Sequence, residues 1–429
     1  FEFTRAQCRT INDIYSSLVS GKVMNRLIQG DVGSGKTVVA VWALLAAVSN
    51  GYQSALLAPT EVLARQHLAT IRNLAGKFAS IGYLTGSMKA SEKADLLARL
   101  SSGEVDVLIG THAMLEPSVR WNNLGLVVTD EQHRFGVKQR LNLSYDTLAP
   151  HLLVMSATPI PRSLALTLYG DLDLSVIDEL PYGRQRVLTK GLEHHRRASA
   201  YAKIRHEVQA GNQAYVVCPL IQEGVSGRKA AEQVFMELKN GYLKGISIGL
   251  VHGSMNKEAL AEVMEDFAKG DVKVLVATTV VEVGVDNRNA TCMVVEGAES
   301  FGLATLHQLR GRVGRKGQQS YCFLIPSEGV ESIERIRTLE RIHDGFELAQ
   351  ADLELRGPGQ FFGLRQHGMG ELNAVDLGIT ASDIYDAREE ARLAVKSLEN
   401  DKDVPSSLEP VLQLIRERVG SLIRHAKSR

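Results

Sequence analysis

The residues Gly30-Asp31-Val32-Gly33-Ser34-Gly35-Lys36-Thr37 match G-x-x-x-x-G-K-[ST], and they lie between a short apolar run and an apolar helical stretch. Gly30, Gly33 and Gly35 let the backbone around Ser34 wrap with its N–H groups inward, and the following helix presents its positive N-terminal end to an anion. Lys36 is placed to neutralise β/γ-phosphate charge and Thr37 to offer a hydroxyl to Mg²⁺. Such a site needs a second, acidic element. Leu124-Gly125-Leu126-Val127-Val128-Thr129-Asp130-Glu131 supplies it as an apolar strand ending in two acids. Asp130 is expected to hold the metal, through water or Thr37, and Glu131 to orient or deprotonate an attacking water. The expectation is a site for ATP and Mg²⁺ at which the γ-phosphate is hydrolysed.

Hydrolysis also needs positive charge on phosphoryl oxygens that Lys36 and Mg²⁺ do not reach. In Gln308-Leu309-Arg310-Gly311-Arg312-Val313-Gly314-Arg315, Arg312 and Arg315 are candidate arginine fingers, a device worth roughly 10³–10⁵ in rate. Carried on a second unit of the chain, they reach the nucleotide only when a cleft shuts, which couples closure to hydrolysis.

Several elements must position these groups. The chain has 429 residues, and at about 150 per domain two or three domains are expected. Hydrophobic residues make up 44% and charged residues 23%, which excludes a disordered polymer or a fibrous repeat. Lys+Arg and Asp+Glu both number 49, so any nucleic-acid surface has to be local. Cys8, Cys218, Cys292 and Cys322 are scattered without a C-x-x-C pair, which points to reduced structural thiols and a cytoplasmic setting. The longest apolar run, Val38 to Val48, is well short of the roughly 18 residues a membrane helix needs, so no membrane partner is expected. The start at Phe1, without Met or an export pattern, reads as that of a fragment or a processed chain.

From Arg26 to about Tyr182 short apolar runs alternate with helical stretches, the rhythm of a buried parallel sheet. Expected strands are Asn25–Gln29, Ser54–Ala58, Val105–Gly110, Leu124–Thr129 and His151–Ser156. A second series has strands Gln213–Pro219, Ser247–His252, Lys273–Thr278, Thr291–Glu296 and Ser320–Ile325, with a helix over Lys257–Lys269. Pro181 and Gly183 break the pattern between the two series and mark a hinge. Beyond Pro326, apolar residues recur at helical spacing until Gly357, Pro358 and Gly359, and Leu408 to Leu422 form one face of a terminal helix. The expected domains are residues 1–183, 184–330 and 331–429.

Asp130-Glu131-Gln132-His133 resembles the D-E-x-H box of superfamily 2 helicases and translocases, and other segments fit the same order. Ser156-Ala157-Thr158-Pro159 resembles the SAT motif, Pro59–Gln66 motif Ia, Gly110–Ala113 motif Ib and Gln308–Arg315 motif VI. Phe3-Thr4-Arg5-Ala6-Gln7 resembles the Q motif, which implies an adenine read by the Gln7 amide and stacked by Phe3. Gly284 and Asp286 resemble motif V, which implies ribose and DNA contacts; Asn287-Arg288 stands where the family has Val-Pro, so a less rigid loop is expected. The wording of the box, of Ser156–Arg162 and of motif VI is similar to RecG-type branched-DNA helicases across essentially the whole chain. Asp344–Ala349 with Asp352–Gly359 resembles the translocation element shared with transcription-repair coupling factors.

This resemblance implies an α/β fold of two tandem RecA-like P-loop domains with parallel sheets, plus a C-terminal helical hairpin and terminal helix. It implies ATP-driven unwinding or translocation on double-stranded and branched DNA in a bacterial cytoplasm, with single-stranded DNA-binding protein as a further partner. An upstream wedge domain belongs to the family, whereas this chain starts at the Q motif. A monomer is expected, since no feature demands an oligomer. DNA contacts are expected at Thr60, Arg65, Gln66, Thr111, His112, Thr278, Arg356 and Gln366, mostly to phosphate, because a motor that steps along any sequence cannot depend on base edges. His133 is expected to make an interdomain or phosphate-sensing hydrogen bond, having no second ligand at metal spacing. Two other readings stay open: a duplex translocase that pushes a protein without unwinding, and a nucleotide-gated binding module without turnover.

Overall fold

The computed structural model describes residues 2–130, 149–156, 172–181, 185–219, 221–222, 225–278, 287–330 and 334–356, with isolated helical positions further on. Apart from those isolated positions, they fall in one compact unit, Phe1–Pro161 with Asp171–Gly357.

After helix α1 (Arg5–Leu18), a first lobe is built on β1 (Asn25–Gly30), β2 (Gln53–Leu57), β3 (Ile81–Leu84), β4 (Val107–Gly110), β5 (Leu124–Asp130), β6 (His151–Ser156) and β7 (Asp173–Ile177). These strands run in the order β3-β4-β2-β5-β6-β1-β7, every pairing parallel. Helices α2 (Lys36–Ser49), α3 (Glu61–Ala75) and α4 (Ala90–Ser101) connect them. Alternate residues of one strand serve two cores. Leu56 and Val128 pack with Val39, Leu44 and Ile71 on one face, whereas Ala55, Leu57 and Val127 pack with Leu96 and Leu100 on the other. A strand buried on both faces must be apolar throughout, and β2 is buried at every position.

The second lobe repeats the plan. Its strands are β8 (Leu188–Gly191), β9 (Gln213–Val217), a short antiparallel hairpin of β10 (Ile221–Gln222) and β11 (Val225–Ser226), β12 (Ile248–Val251), β13 (Val274–Ala277), β14 (Ala290–Glu296) and β15 (Tyr321–Ile325). The main sheet runs β12-β13-β9-β14-β15-β8, again all parallel. Helices α5 (Arg197–Gln209) and α6 (Gly227–Asn240) cover one face. The other face is covered by α7 (Lys257–Lys269), α8 (Leu303–Arg310), α9 (Glu334–Arg341) and α10 (Gly345–Arg356), with Phe267, Leu306, Leu309, Ile336, Leu339 and Leu348 in one core. At roughly 1.5–3 kcal/mol per buried aliphatic or phenyl side chain, α9 and α10 are firmly docked on this lobe.

Each expected strand is present to within a residue or two, and α7 has the expected bounds. Strands β3, β7 and β8 were not expected; each lies at a sheet edge. Asn287 is buried and anchored. Its amide donates to Gln213 Oε1 at 3.0 Å and Phe267 O at 3.2 Å, and its Oδ1 accepts from Asn289 N at 2.8 Å. Gln213 itself donates to Phe267 O and Val272 O, both at 2.7 Å. A buried amide network thus ties Asn287 to β9 and α7; the expectation of a less rigid loop falls on residues 279–286, which lie outside the described residues.

Candidate functional site

Parallel strands present their carboxyl ends along one edge, where open α/β sheets bind ligands. Gly30 ends β1, Gly110 ends β4, Asp130 ends β5 and Ser156 ends β6. The loop after β1 is shaped by Gly33 at φ +79° and Gly35 at φ +85°, values that favour glycine strongly. Gly35 caps α2 and has no room for a side chain, because a Cβ there would collide with Gln7 Nε2. Ser34 Oγ is buried without a hydrogen-bond partner among the described residues, and a Cβ at Gly30 would come within 2.6 Å of it. Lys36 folds back, its Nζ donating to Gly30 O at 2.7 Å and Asp31 O at 2.9 Å. A buried ammonium resting on its own loop carbonyls, beside an unpartnered hydroxyl and a helix N-terminus, is ready to exchange those carbonyls for phosphate oxygens.

Gln7 fastens this loop to α1. Its Oε1 accepts from Thr4 N at 2.9 Å, its backbone N–H reaches Thr4 Oγ1 at 3.2 Å, and its Nε2 donates to Ser34 O at 2.9 Å. The expected base-reading amide therefore also caps α1 and braces the phosphate loop. Phe3 is exposed beside it, and Thr37 is half-buried at the start of α2.

At the end of β5, Asp130 Oδ2 is 2.8 Å from His67 Nε2 on α3. Burial pushes the Asp130 carboxyl up, but the His67 hydrogen bond and the positive charges of His67, Lys36 and Arg312 together hold it below its ordinary range. An anionic Asp130 facing Lys36 suits a divalent cation. Among the described residues, no cluster of three or more His, Cys, Asp or Glu forms a metal site independent of a nucleotide.

The expected DNA residues separate into two kinds. Thr60 caps α3 through Leu63 N at 3.3 Å, Arg65 and His112 are exposed, and Gln66 is half-buried. Thr111 and Thr278 are buried at the ends of β4 and β13, and neither hydroxyl has a hydrogen-bond partner among the described residues. A buried unpaired hydroxyl is unfavourable, and two of them at strand ends mark places for an outside acceptor. His252 joins them, with Nδ1 buried after β12 and without a partner among the described residues; the sequence reading gave it no role.

Motif VI lies against the phosphate loop. A Cβ at Gly311 would be 2.7 Å from Val32 Cβ, and Arg312 is close enough to help depress the Asp130 carboxyl. Arg312 and Arg315 are both half-buried, with Arg315 Nε reaching Gly311 O at 3.4 Å. His307, absent from the sequence reading, and Arg310, given no role there, complete the contact. His307 Nε2 lies 2.5 Å from Asp31 Oδ1, and His307 Nδ1 lies 2.8 Å from Arg310 Nη2. Arg310 then donates to Leu339 O at 2.8 Å, Ile342 O at 2.9 Å and His343 O at 3.0 Å. Motif VI is thereby bound on one side to the phosphate loop and on the other to the turn between α9 and α10. Glu131, His133, Gly284, Asp286, Gln366 and the Arg356 side chain lie outside the described residues.

Residues 4–167 match the DEAD/DEAH box helicase family and residues 197–317 the helicase conserved C-terminal domain. The chain is similar to the ATP-dependent DNA helicase RecG of Bacillus subtilis, at 46% identity over 92% of this chain and 59% of that protein. RecG of Staphylococcus aureus is 45% identical over 92% of this chain and 58% of its own length. The chain thus spans about three fifths of the curated relatives it matches. A solved structure of RecG bound to a three-way DNA junction superposes with TM-score 0.74 at 42% identity, covering 91% of this chain and 50% of that one. S. cerevisiae Dbp5 bound to RNA and ADP BeF3, at 18% identity and TM-score 0.57 over 82% of this chain and 88% of that one, shares the fold.

Proposed function

The chain belongs to the RecG-type helicases, whose helicase portion it spans, and on that premise we propose that it is an ATP-driven motor that remodels branched or double-stranded DNA. The observation that carries this reading is the contact of motif VI with the phosphate loop, Gly311 on Val32 and His307 on Asp31, with the Arg312 charge felt at the Asp130 carboxyl. It unites in one cleft the phosphate cradle, the acidic strand end and the cationic motif that hydrolysis requires.

In this reading Gly30, Gly33, Ser34, Gly35 and Lys36 hold the triphosphate, with the adenine between Phe3 and Gln7 and the ribose near Gly284 and Asp286. Thr37 and Asp130 would hold Mg²⁺, which supplies charge neutralisation on the phosphate oxygens. Glu131 orients water for attack on the γ-phosphorus and accepts its proton as the bond to the β–γ bridging oxygen breaks. Arg312 and Arg315 neutralise the charge that builds on the γ-phosphoryl group. Thr60, Arg65, Gln66, Thr111, His112 and Thr278 contact the DNA backbone along the strand ends, and Arg356 and Gln366 pass lobe movement to the duplex. The lobes divide near residue 184.

Replacing Glu131 with Gln should reduce phosphate release at least 10²-fold, with and without forked DNA. Unchanged release would remove Glu131 from catalysis and favour a binding module. Release without strand separation by the intact protein would favour a translocase that does not unwind.

A further inference from the structure

Asp31 occupies a variable position of the phosphate motif, and its carboxylate would repel a triphosphate. Its side chain faces the second lobe instead, accepting from Val32 N at 2.5 Å and meeting His307 Nε2 at 2.5 Å. Arg310 can only donate, so His307 Nδ1 accepts from it and Nε2 carries the proton given to Asp31. The imidazole is therefore fixed in tautomer and orientation from both sides. His307 is 4% exposed, which makes its bond to a carboxylate strong and its loss expensive.

The opposite side of the same residue is equally engaged. The Asp31 carbonyl accepts from Lys36 Nζ at 2.9 Å, and a phosphate would draw that ammonium away. We propose that Asp31 and His307 form a positioning latch across the cleft, holding the motif VI helix to the phosphate loop so that phosphate occupancy sets the placement of Arg312. The side chain fixes motif VI while the carbonyl responds to Lys36, so one residue couples loop occupancy to α8 and the turn after it that carries the finger. Close backbone packing of Gly311 on Val32 leaves little slack for the helix to ignore a movement of the loop.

This inference rests on the reading of the cleft as an ATPase, and its test separates the two. Asp31→Ala, His307→Ala and the double variant are made in the full chain, and kcat, KM for ATP and affinity for a fluorescent nonhydrolysable ATP analogue are measured, with Lys36→Ala as reference. The latch requires each single variant to lose roughly tenfold or more in kcat, with analogue affinity within about threefold, and the double variant to be no worse than the worse single one. His307→Gln, which retains a donor, should recover part of the loss, and the isosteric Asp31→Asn serves should an alanine variant fail to fold. Independent, multiplying losses or unchanged kcat would overturn the latch. Turnover surviving Lys36→Ala would overturn the ATPase reading itself.

Discussion

Gly35→Ala tests how the phosphate loop is held. The glycine has φ +85°, and a Cβ there would collide with Gln7 Nε2. An L residue in that region costs roughly 1–2 kcal/mol, and displacing the buried Gln7–Ser34 bond adds about 1–3 kcal/mol, for a total near 2–5 kcal/mol. Gly51 is the internal control, with φ +79° and nothing within 4 Å of an added Cβ, so Gly51→Ala should cost only the backbone part, roughly 1–2 kcal/mol. Urea unfolding of the five proteins wild type, Gly35→Ala, Gly51→Ala, Gln7→Ala and Gly35→Ala/Gln7→Ala supplies the numbers. The double variant removes the obstacle as well as the bond, so its loss should fall short of the sum of its single losses by about 1–3 kcal/mol. A Gly35→Ala no worse than Gly51→Ala, or strict additivity with Gln7→Ala, would refute the bracing role assigned to Gln7.

Thr111→Val and Thr278→Val each replace a buried, unpartnered hydroxyl by a methyl of the same shape. Each should raise stability by roughly 1 kcal/mol while weakening DNA affinity, and a drop in stability with unchanged DNA binding would place those hydroxyls in the fold alone. Burial raises the Asp31 carboxyl, but the His307 and Val32 hydrogen bonds and the Lys36 charge bring it below its ordinary 3.8, as Asp130 also is. Groups depressed in the folded state stabilise fully above their unfolded value and lose that contribution as pH falls through the folded value. Unfolding free energy should therefore decline below about pH 4, less steeply in Asp31→Asn, and equal slopes for the two proteins would contradict the assignment.

The legible and illegible parts of the fold differ for a physical reason. Strands β2 and β14 are buried at every position, so their composition is apolar without a break and visible in a line of sequence. Strand β8, Leu-Thr-Lys-Gly, alternates between exposed and half-buried residues, and β3 and β7 are short and only partly buried. Edge strands pair on one side only, and their polar, broken patterns look like loops. The site follows the same division. Gly30–Thr37 and Asp130 are local patterns whose chemistry can be read from spacing, whereas Asp130 finds His67 and Asp31 finds His307 across 63 and 276 residues. No periodicity announces such pairings; the first arises where α3 passes the end of β5 within one lobe, the second where α8 of the other lobe meets the phosphate loop. Asn287 is a further case, its amide held by three hydrogen bonds that its departure from the family pattern does not announce.

The central claim is that Arg312, from the second lobe, stabilises charge on a triphosphate held by the first. It is tested most directly by single-turnover hydrolysis with Arg312→Ala at saturating ATP and forked DNA, with analogue affinity measured alongside. The account predicts a rate lower by roughly 10³-fold or more with affinity changed by no more than about threefold. Hydrolysis within threefold of wild type would contradict it.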